Sequence, residues 1–203
     1  LDKLTVRFNR DLSEEVVAGM PLGWTPFEIE PVVKGDWVWG GRDRVEFHPE
    51  APLPVGNRFA AKATEQFVVR VGEALRGKRQ FAFETSPLRV KRCVYLGRYG
   101  KEVRLEFSFN GEVEPKALEA GLSVWDSLAG VQAGKVKALG TGPNRRQVVA
   151  VSEPPGRGLR VTLPAGFAGV AGPSGLRDAF EDAFTLKPAF AALRAWTPWR
   201  RGT

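Results

Sequence analysis

Short runs of alternating apolar and polar residues, separated by Gly, Pro, Asn and Asp, cover most of the chain. The first run, Leu4-Thr5-Val6-Arg7-Phe8, places its apolar side chains on one side, as a half-buried β-strand does. Short strands broken so often by turn residues are typical of β-sandwiches and not of α/β folds. The predicted strands are Leu4–Phe8, Phe27–Val33, Arg44–Phe47, Arg58–Thr64, Gln66–Val71, Gln80–Glu84, Arg92–Leu96, Glu102–Ser108, Ser123–Trp125, Lys135–Leu139, Arg146–Ser152, Leu159–Leu163 and Ala183–Leu186.

Helical signals are few. Pro115–Gly121 begins with proline and ends with glycine, the asymmetry that marks the two ends of a short helix. Ser13–Gly19 lies at the corresponding place earlier in the chain and is predicted as its counterpart. Two glycine-rich segments, Gly140–Asn144 and Gly166–Gly172, lack the strand, helix and basic residue that a phosphate-binding loop needs, so they are predicted as a hairpin turn and a loop.

The chain repeats itself at an offset of 101 residues. Three pairs recur in the same order and frame: Phe8-Asn9 with Phe109-Asn110, Leu75-Arg76 with Leu176-Arg177, and Ala82-Phe83 with Ala183-Phe184. Pro52–Phe59 also corresponds to Pro154–Leu159, with a small shift from the 101-residue offset. The repeat predicts two immunoglobulin-like β-sandwiches in tandem, spanning residues 1–87 and 88–190, with residues 191–203 as a linker or tail.

Reactive residues are scarce, since the chain has one Cys, one His and one Met. Cys93 is predicted to be a small buried hydrophobe, and His48 follows a strand with no nucleophile close in sequence. No cysteine or histidine spacing fits a metal site. We therefore predict that the chain is not an enzyme and has no cofactor, metal or catalytic residues.

Tryptophans and arginines are the candidate partner-binding residues. Trp37 and Trp39 flank Val38 at strand spacing and should point to one face, where they either pack the strand or bind a sugar or partner protein. The packing role is the favoured interpretation. Trp196 and Trp199 fall in the predicted tail.

Charge is distributed unevenly. Residues 1–88 have a net charge of −1, and residues 89–203 have +8, so the second part carries the whole excess of +7. Basic residues gather after the predicted boundary, where Arg89 and Arg92 are the candidate contacts. The sequence has no RRM, OB or helix-turn-helix pattern, so we predict no nucleic-acid partner. A basic face turned toward anionic headgroups or an acidic neighbouring domain is favoured instead. No apolar run approaches the roughly 18 residues that span a bilayer.

Five submotifs in the first part carry a family resemblance: Ile29-Glu30-Pro31, Gly35-Asp36-Trp37-Val38-Trp39, Phe47-His48-Pro49, Leu53-Pro54-Val55-Gly56-Asn57-Arg58-Phe59 and Phe81-Ala82-Phe83-Glu84-Thr85. Their order resembles that of the immunoglobulin-like domains near the N-terminus of bacterial α2-macroglobulins. The second part is similar to the macroglobulin-type module that follows in those proteins, through Phe109–Pro115. It lacks the Trp-x-Trp signature.

The resemblance implies a periplasmic or cell-surface protein in which a bait segment is cut and the attacking protease is trapped. Many members capture the protease through a Cys-x-x-Gln thioester, but Cys93 is followed by Val94-Tyr95-Leu96. The chain would then be a non-catalytic N-terminal scaffold that contacts downstream domains of its own polypeptide, meets proteases only through the full-length protein and reaches a membrane only through an anchor outside this segment. The alternatives are a cell-surface array that binds a carbohydrate or protein ligand, and an accessory domain of an enzyme.

Overall fold

The computed structural model describes residues 2–13, 16–71 and 79–186. Thirteen strands and two helices occupy these ranges: β1 (Leu4–Arg7), β2 (Phe27–Glu30), β3 (Gly35–Gly41), β4 (Arg44–Pro49), β5 (Arg58–Ala63), α1 (Glu65–Val71), β6 (Gln80–Glu84), β7 (Val90–Tyr99), β8 (Glu102–Val113), α2 (Pro115–Gly121), β9 (Ser123–Asp126), β10 (Lys135–Ala138), β11 (Asn144–Ser152), β12 (Gly158–Leu163) and β13 (Phe180–Thr185). The prediction of an all-β, sandwich-type fold is confirmed.

The strands form four antiparallel sheets. We call the chain up to Pro87 the first half and the chain after it the second half. The strand orders are β1-β4-β3 and β2-β5-β6 in the first half, and β10-β11-β8-β7 and β13-β12-β9 in the second. The second half has the strand order of a constant-type immunoglobulin domain, with β7 as the first strand. The first half repeats the order of the other six strands, with β1 in the place of β8.

The repeat in sequence corresponds to this repeat in topology. Ala82-Phe83 lies in β6 and Ala183-Phe184 in β13, which occupy equivalent places in their sheets. The register agrees, because Phe59 pairs with Phe83 as Leu159 pairs with Phe184. Leu75-Arg76 and the predicted tail lie outside the described residues.

Each half has its own cluster of buried apolar side chains. The first cluster is built around aromatic rings, among them Phe27, Phe47 and Phe67. The second is mainly aliphatic and includes Leu88, the first residue after Pro87. Whether the halves, with bounds at residues 87 and 190, fold independently stays a prediction.

One predicted strand is wrong. Gln66–Val71 belongs to helix α1, because Thr64 caps it: the Phe67 N–H donates to Thr64 Oγ1 at 3.2 Å. Helical geometry buries Phe67 completely and leaves Val69 80% exposed, whereas a strand would have put both on one face.

Two further predictions need correction. Of the helix predicted at Ser13–Gly19, none of the described residues is helical: Ser13 and Val16 are irregular, and residues 17–20 form a turn in which the Met20 N–H donates to Val17 O at 3.1 Å. The list of predicted strands lacked β3, whose glycines oppose strand formation in isolation. Pairing with β4 requires one of them, since a Cβ on Gly35 would lie 2.6 Å from the Phe47 ring. Helix Pro115–Gly121, the turn after β10 and the loop at Gly166–Gly172 are confirmed.

Candidate functional site: the junction between the halves

The two predicted tryptophans belong to the core of the first half. Trp37 is 7% exposed, and its ring centre lies 5.6 Å from that of Phe27 and 5.2 Å from that of Phe47. Trp39 is half-buried and packs on the same cluster, so both rings face inward as strand spacing predicts. This burial leaves Trp37 with almost no surface for a ligand.

The two predicted arginines lie where the chain enters the second half. Both Arg89 and Arg92 are exposed, and the Arg89 N–H donates to Asn110 Oδ1 at 2.6 Å. Arg89 also lines a cleft of about 450 Å³ formed by residues 86–90 and 176–180, which brings it together with Arg177 and Asp178. The structure therefore separates the tryptophan pair from the arginine pair, because each belongs to a different half.

The residues that join the halves are of greater interest. We call Pro54–Asn57, Thr85–Leu88 and Ala171–Ser174 together the junction. At its centre Thr85, 5% exposed, donates from Oγ1 to Pro54 O at 2.7 Å and accepts from the Asn57 N–H at 2.9 Å. The Thr85 N–H donates to Asn57 O, also at 2.9 Å. These bonds fasten the loop before β5 to the chain that leaves the first half.

Two more hydrogen bonds cross from the first half to the loop between β12 and β13, and a third joins Leu88, the first residue of the second half, to the same loop. The Ser174 N–H donates to Gly56 O at 3.0 Å, and the Leu88 N–H donates to Ser174 O at 3.1 Å. Asn57 Nδ2 donates to Ala171 O. Ser174 therefore bonds through its backbone to Gly56 in the first half and to Leu88 at the start of the second.

Gly56 is a residue that the junction cannot replace. Its φ of +74° lies in the left-handed region, and a Cβ would lie 2.5 Å from Ser174 O. Any side chain would therefore strain the turn and collide with the second half. The apolar side of the junction is also tightly packed, since a Cβ on Gly111 in β8 would lie 3.1 Å from Val55 Cβ.

Sequence reasoning placed the boundary at Thr85–Leu88 but missed the loop contacts. A usable signal was present, because two of the submotifs quoted above, Leu53–Phe59 and Phe81–Thr85, meet here through Thr85. The distant loop Ala171–Ser174 gave no signal of its own, since its contribution is made by backbone groups.

The outer face of the sheet β10-β11-β8-β7 carries much of the positive charge. Arg104 stacks its guanidinium 4.3 Å from the Tyr99 ring centre, and Arg146 lies 3.6 Å from Glu106 with 70% of its side chain exposed. This pair has no net charge, so the excess of positive charge on the sheet comes from further basic residues such as Lys135 and Lys137, both exposed in β10. The face can therefore attract an anionic partner in a salt-dependent manner.

The two reactive residues lie in different sheets, Cys93 in β7 and His48 in β4. Burial raises the pKa of the Cys93 thiol to about 12, and the nearby Asp182 carboxylate acts in the same direction. His48 is half exposed and lies 3.3 Å from Glu46. Within residues 2–13, 16–71 and 79–186, no group of three His, Cys, Asp or Glu could hold a metal, and no helix is long and apolar enough to cross a membrane.

No protein-family model matches this chain, and no curated protein matches it. The fold and the junction are therefore the observations on which a function can be argued.

Proposed function

We propose that this chain is a non-catalytic scaffold that fixes two sandwiches in one relative orientation, near the N-terminus of a bacterial α2-macroglobulin-like, broad-spectrum protease-trapping protein. The observation that carries the proposal is the junction. Two halves joined only by a flexible segment need no loop-to-loop hydrogen bonds, whereas here Gly56 and Asn57 of the first half each bond to the loop Ala171–Ser174 of the second. A trap that rearranges after cleavage needs rigid parts against which the rearrangement occurs.

The family resemblance supports the same function, because the residues that carry it have structural tasks. Trp37 and Phe47 pack against each other in the first core. Pro54, Asn57 and Thr85 are bonded to one another in the junction. The motif is therefore accounted for by folding and orientation, with no ligand required.

The partners follow from this role. The second half would contact downstream domains of the same polypeptide, and target proteases would be met by the full-length protein in the periplasm or at the cell surface. Membrane association would come only through an anchor outside this segment, and no nucleic-acid partner is proposed.

The test uses the full-length polypeptide and residues 1–203 side by side. Proteases of different specificity are incubated with each, and capture is measured as a shift to a slow-migrating complex. We expect capture by the full-length protein and none by residues 1–203 alone. Gly56→Ala should reduce capture, and Gly142→Ala serves as the matched control, because a Cβ there meets nothing within 4 Å. A full-length protein that captures no protease contradicts the proposal, as does capture by residues 1–203.

A second candidate function is an array that binds a carbohydrate or protein ligand at a cell surface. It is favoured by the cleft beside Pro87, which Arg89, Arg177 and Asp178 line. It predicts binding by residues 1–203 on a glycan array that Arg89→Ala and Arg177→Ala abolish. The full-length gene distinguishes the two functions. A thioester motif with a long downstream chain supports the trap, and a short repeat array with a wall anchor supports the binding array.

A further inference from the structure

The outer face of the sheet β10-β11-β8-β7 concentrates cations that have no acidic partner. Inward side chains of its strands, such as Leu105 and Val149, belong to the second core, so the residues that alternate with them point outward. Four outward basic residues have no carboxylate within 4.0 Å anywhere in the described part of the chain: Arg92, Arg104, Lys135 and Lys137. We call these four residues, together with Tyr99, the cationic face.

The register of the sheet fixes the spacing of two of these cations. Lys137 of β10 lies opposite Ala150 of β11, and Ala150 lies opposite Arg104 of β8. Neighbouring strands are about 4.8 Å apart, so the backbones at Lys137 and Arg104 are about 10 Å apart on one line across the sheet. Because the residue between them is alanine, no long side chain separates the two cations.

The guanidinium of Arg104 is held in place without being neutralised. It lies 4.3 Å from the centre of the Tyr99 ring, which is itself 48% exposed. Its Nε atom is buried and has no hydrogen-bond partner in the described part of the chain. Such a donor costs free energy, so the fold itself does not account for an arginine at this position. The ring fixes the cation, and its charge remains available to a ligand.

Small residues continue this line on both sides of Arg104. On β7 the residue opposite Arg104 is Gly97, where a Cβ would meet only the Tyr99 ring within 4 Å, at 3.9 Å. With Ala150 on the other side, a shallow path crosses the sheet beside the guanidinium. Glu102 also faces outward without an ion pair among the described residues, but the four cations outnumber it. A ligand in this path therefore meets a surplus of positive charge.

The spacing of the cations disfavours a nucleic acid. Successive phosphates of one DNA strand are about 3.4 Å apart along the helix axis, roughly a third of the distance between Lys137 and Arg104. Most phosphates would therefore find no cation on this line. Surfaces that bind single strands also offer open aromatic rings for the bases to stack on, whereas one side of the Tyr99 ring is occupied by Arg104.

The apolar area of this face is too small for a bilayer or a protein interface. Val94 and Val148 are half-buried, and Leu139, which follows β10, is 41% exposed. Peripheral membrane binding needs apolar side chains that enter the acyl boundary, and the centre of a protein interface is depleted of charge. A flat, polar and positively charged sheet is better suited to an extended polar polymer with anionic groups.

From these observations we infer that the cationic face binds an acidic polysaccharide, a linear chain that carries one carboxylate on every second sugar. A pyranose residue spans about the distance between neighbouring strands, so carboxylates on alternate sugars match cations on alternate strands. The chain crosses the strands from Lys137 to Arg104, whose ammonium and guanidinium groups donate to the carboxylates. The exposed part of Tyr99 contacts a sugar ring. This site is separate from the cleft beside Pro87 and does not rest on the proposed scaffold function.

The test measures binding of residues 1–203 to a hyaluronan oligosaccharide, whose carboxylates lie on alternate sugars, by isothermal titration calorimetry. We expect saturable binding at low salt that weakens as sodium chloride is added. Lys137→Glu and Arg104→Gln should each weaken it by about tenfold or more, since each removes a charge-assisted hydrogen bond. Lys116→Glu is the matched control, because Lys116 is exposed on α2 of the same half and the change in net charge equals that of Lys137→Glu. It should change the affinity less than about twofold.

Other ligands at the same ionic strength decide between the classes of anion. Polygalacturonate, with a carboxylate on every sugar, should bind no more tightly than hyaluronan of equal length, and tighter binding overturns the spacing argument. Tighter binding of an oligothymidine assigns the face to nucleic acid, and tighter binding of phosphatidylglycerol vesicles assigns it to a membrane; either result overturns the inference.

The variants decide whether the binding is local. Equal losses in Lys137→Glu and Lys116→Glu would show that affinity follows net charge alone, which overturns the site. Arg89→Ala, in the cleft beside Pro87, should leave hyaluronan binding unchanged. If it abolishes binding while Lys137→Glu does not, the cleft is the binding site and the inference is wrong. Absence of saturable hyaluronan binding at low salt refutes the site directly.

Discussion

Replacing Thr85 with valine removes the hydroxyl at the centre of the junction and preserves the shape of the side chain. Two groups then lose their partner: the Asn57 N–H, bonded at 2.9 Å, and the Pro54 carbonyl, bonded at 2.7 Å. A buried group left without a partner costs about 1–3 kcal/mol. The Asn57 N–H lies in a half-buried residue, whereas Pro54 is exposed and water can reach its carbonyl. The expected loss in the free energy of unfolding is therefore about 2–3 kcal/mol, below the sum of two full penalties.

Thr85→Ser is the matched control, because serine keeps the hydroxyl and loses one methyl group worth about 1 kcal/mol. Urea unfolding is followed by hydrogen exchange of the Ala61 amide, which lies in the buried part of β5 and reports on the first half. With an m-value of about 1.5 kcal/mol/M, the valine variant should lower the urea midpoint by roughly 1–2 M. If valine destabilises the first half no more than serine does, the hydrogen bonds of Thr85 do not stabilise the junction and the reasoning is refuted.

Three further predictions concern single sites. Phe67→Ala should lower the free energy of unfolding by about 3–5 kcal/mol, measured in urea, because removal of a fully buried ring whose centre lies 5.1 Å from that of Phe27 leaves a cavity. Val69→Ala, at an exposed position of the same helix, should lower it far less, and equal losses would contradict the helical assignment. Cys93 is partly buried and should react with a thiol reagent near pH 8 at least about tenfold more slowly in the folded than in the unfolded protein, since its pKa rises from the ordinary 9.0 to about 12. The stability that the neutral thiol contributes is present below pH 9.0 and is lost as the pH rises toward 12. Equally fast labelling of the folded and the unfolded protein would contradict the raised pKa. The hydrogen bond from Arg7 holds the pKa of Asp43 below its ordinary value. The pair therefore stabilises the fold at pH values above the ordinary pKa, and this contribution is lost as the pH falls through the pKa of the folded protein. In Arg7→Met the pKa of Asp43, followed by carbon NMR, should rise, and an unchanged titration would exclude Arg7 as the cause.

Alternation along the chain was enough to predict most strands of the fold, because each half buries one face of each sheet. It failed where tertiary contacts decided the local structure. Residues 66–71 contain enough β-branched residues to suggest a strand, yet the cap at Thr64 and the burial of Phe67 favour a helix. Strand β3 was missed for the opposite reason, since its glycines are accommodated only by contact with β4.

The candidate site was harder to predict. Trp37 and Trp39 were placed correctly on one face by strand spacing, but spacing alone does not say whether that face is covered. The contacts of the junction come largely from backbone groups brought together over more than a hundred residues, such as the Ser174 N–H on Gly56 O. Backbone donors and acceptors are the same in every residue, so no sequence pattern identifies this pairing.

If the junction holds the two halves in one orientation, the distance between them is fixed. Spin labels at Lys62→Cys in β5 and Lys137→Cys in β10, both exposed positions, measure the distance between the halves in a Cys93→Ala background. We expect a single narrow distance distribution by double electron–electron resonance, which Gly56→Ala broadens and Gly142→Ala leaves unchanged. A broad distribution in the protein with an intact junction would contradict the claim.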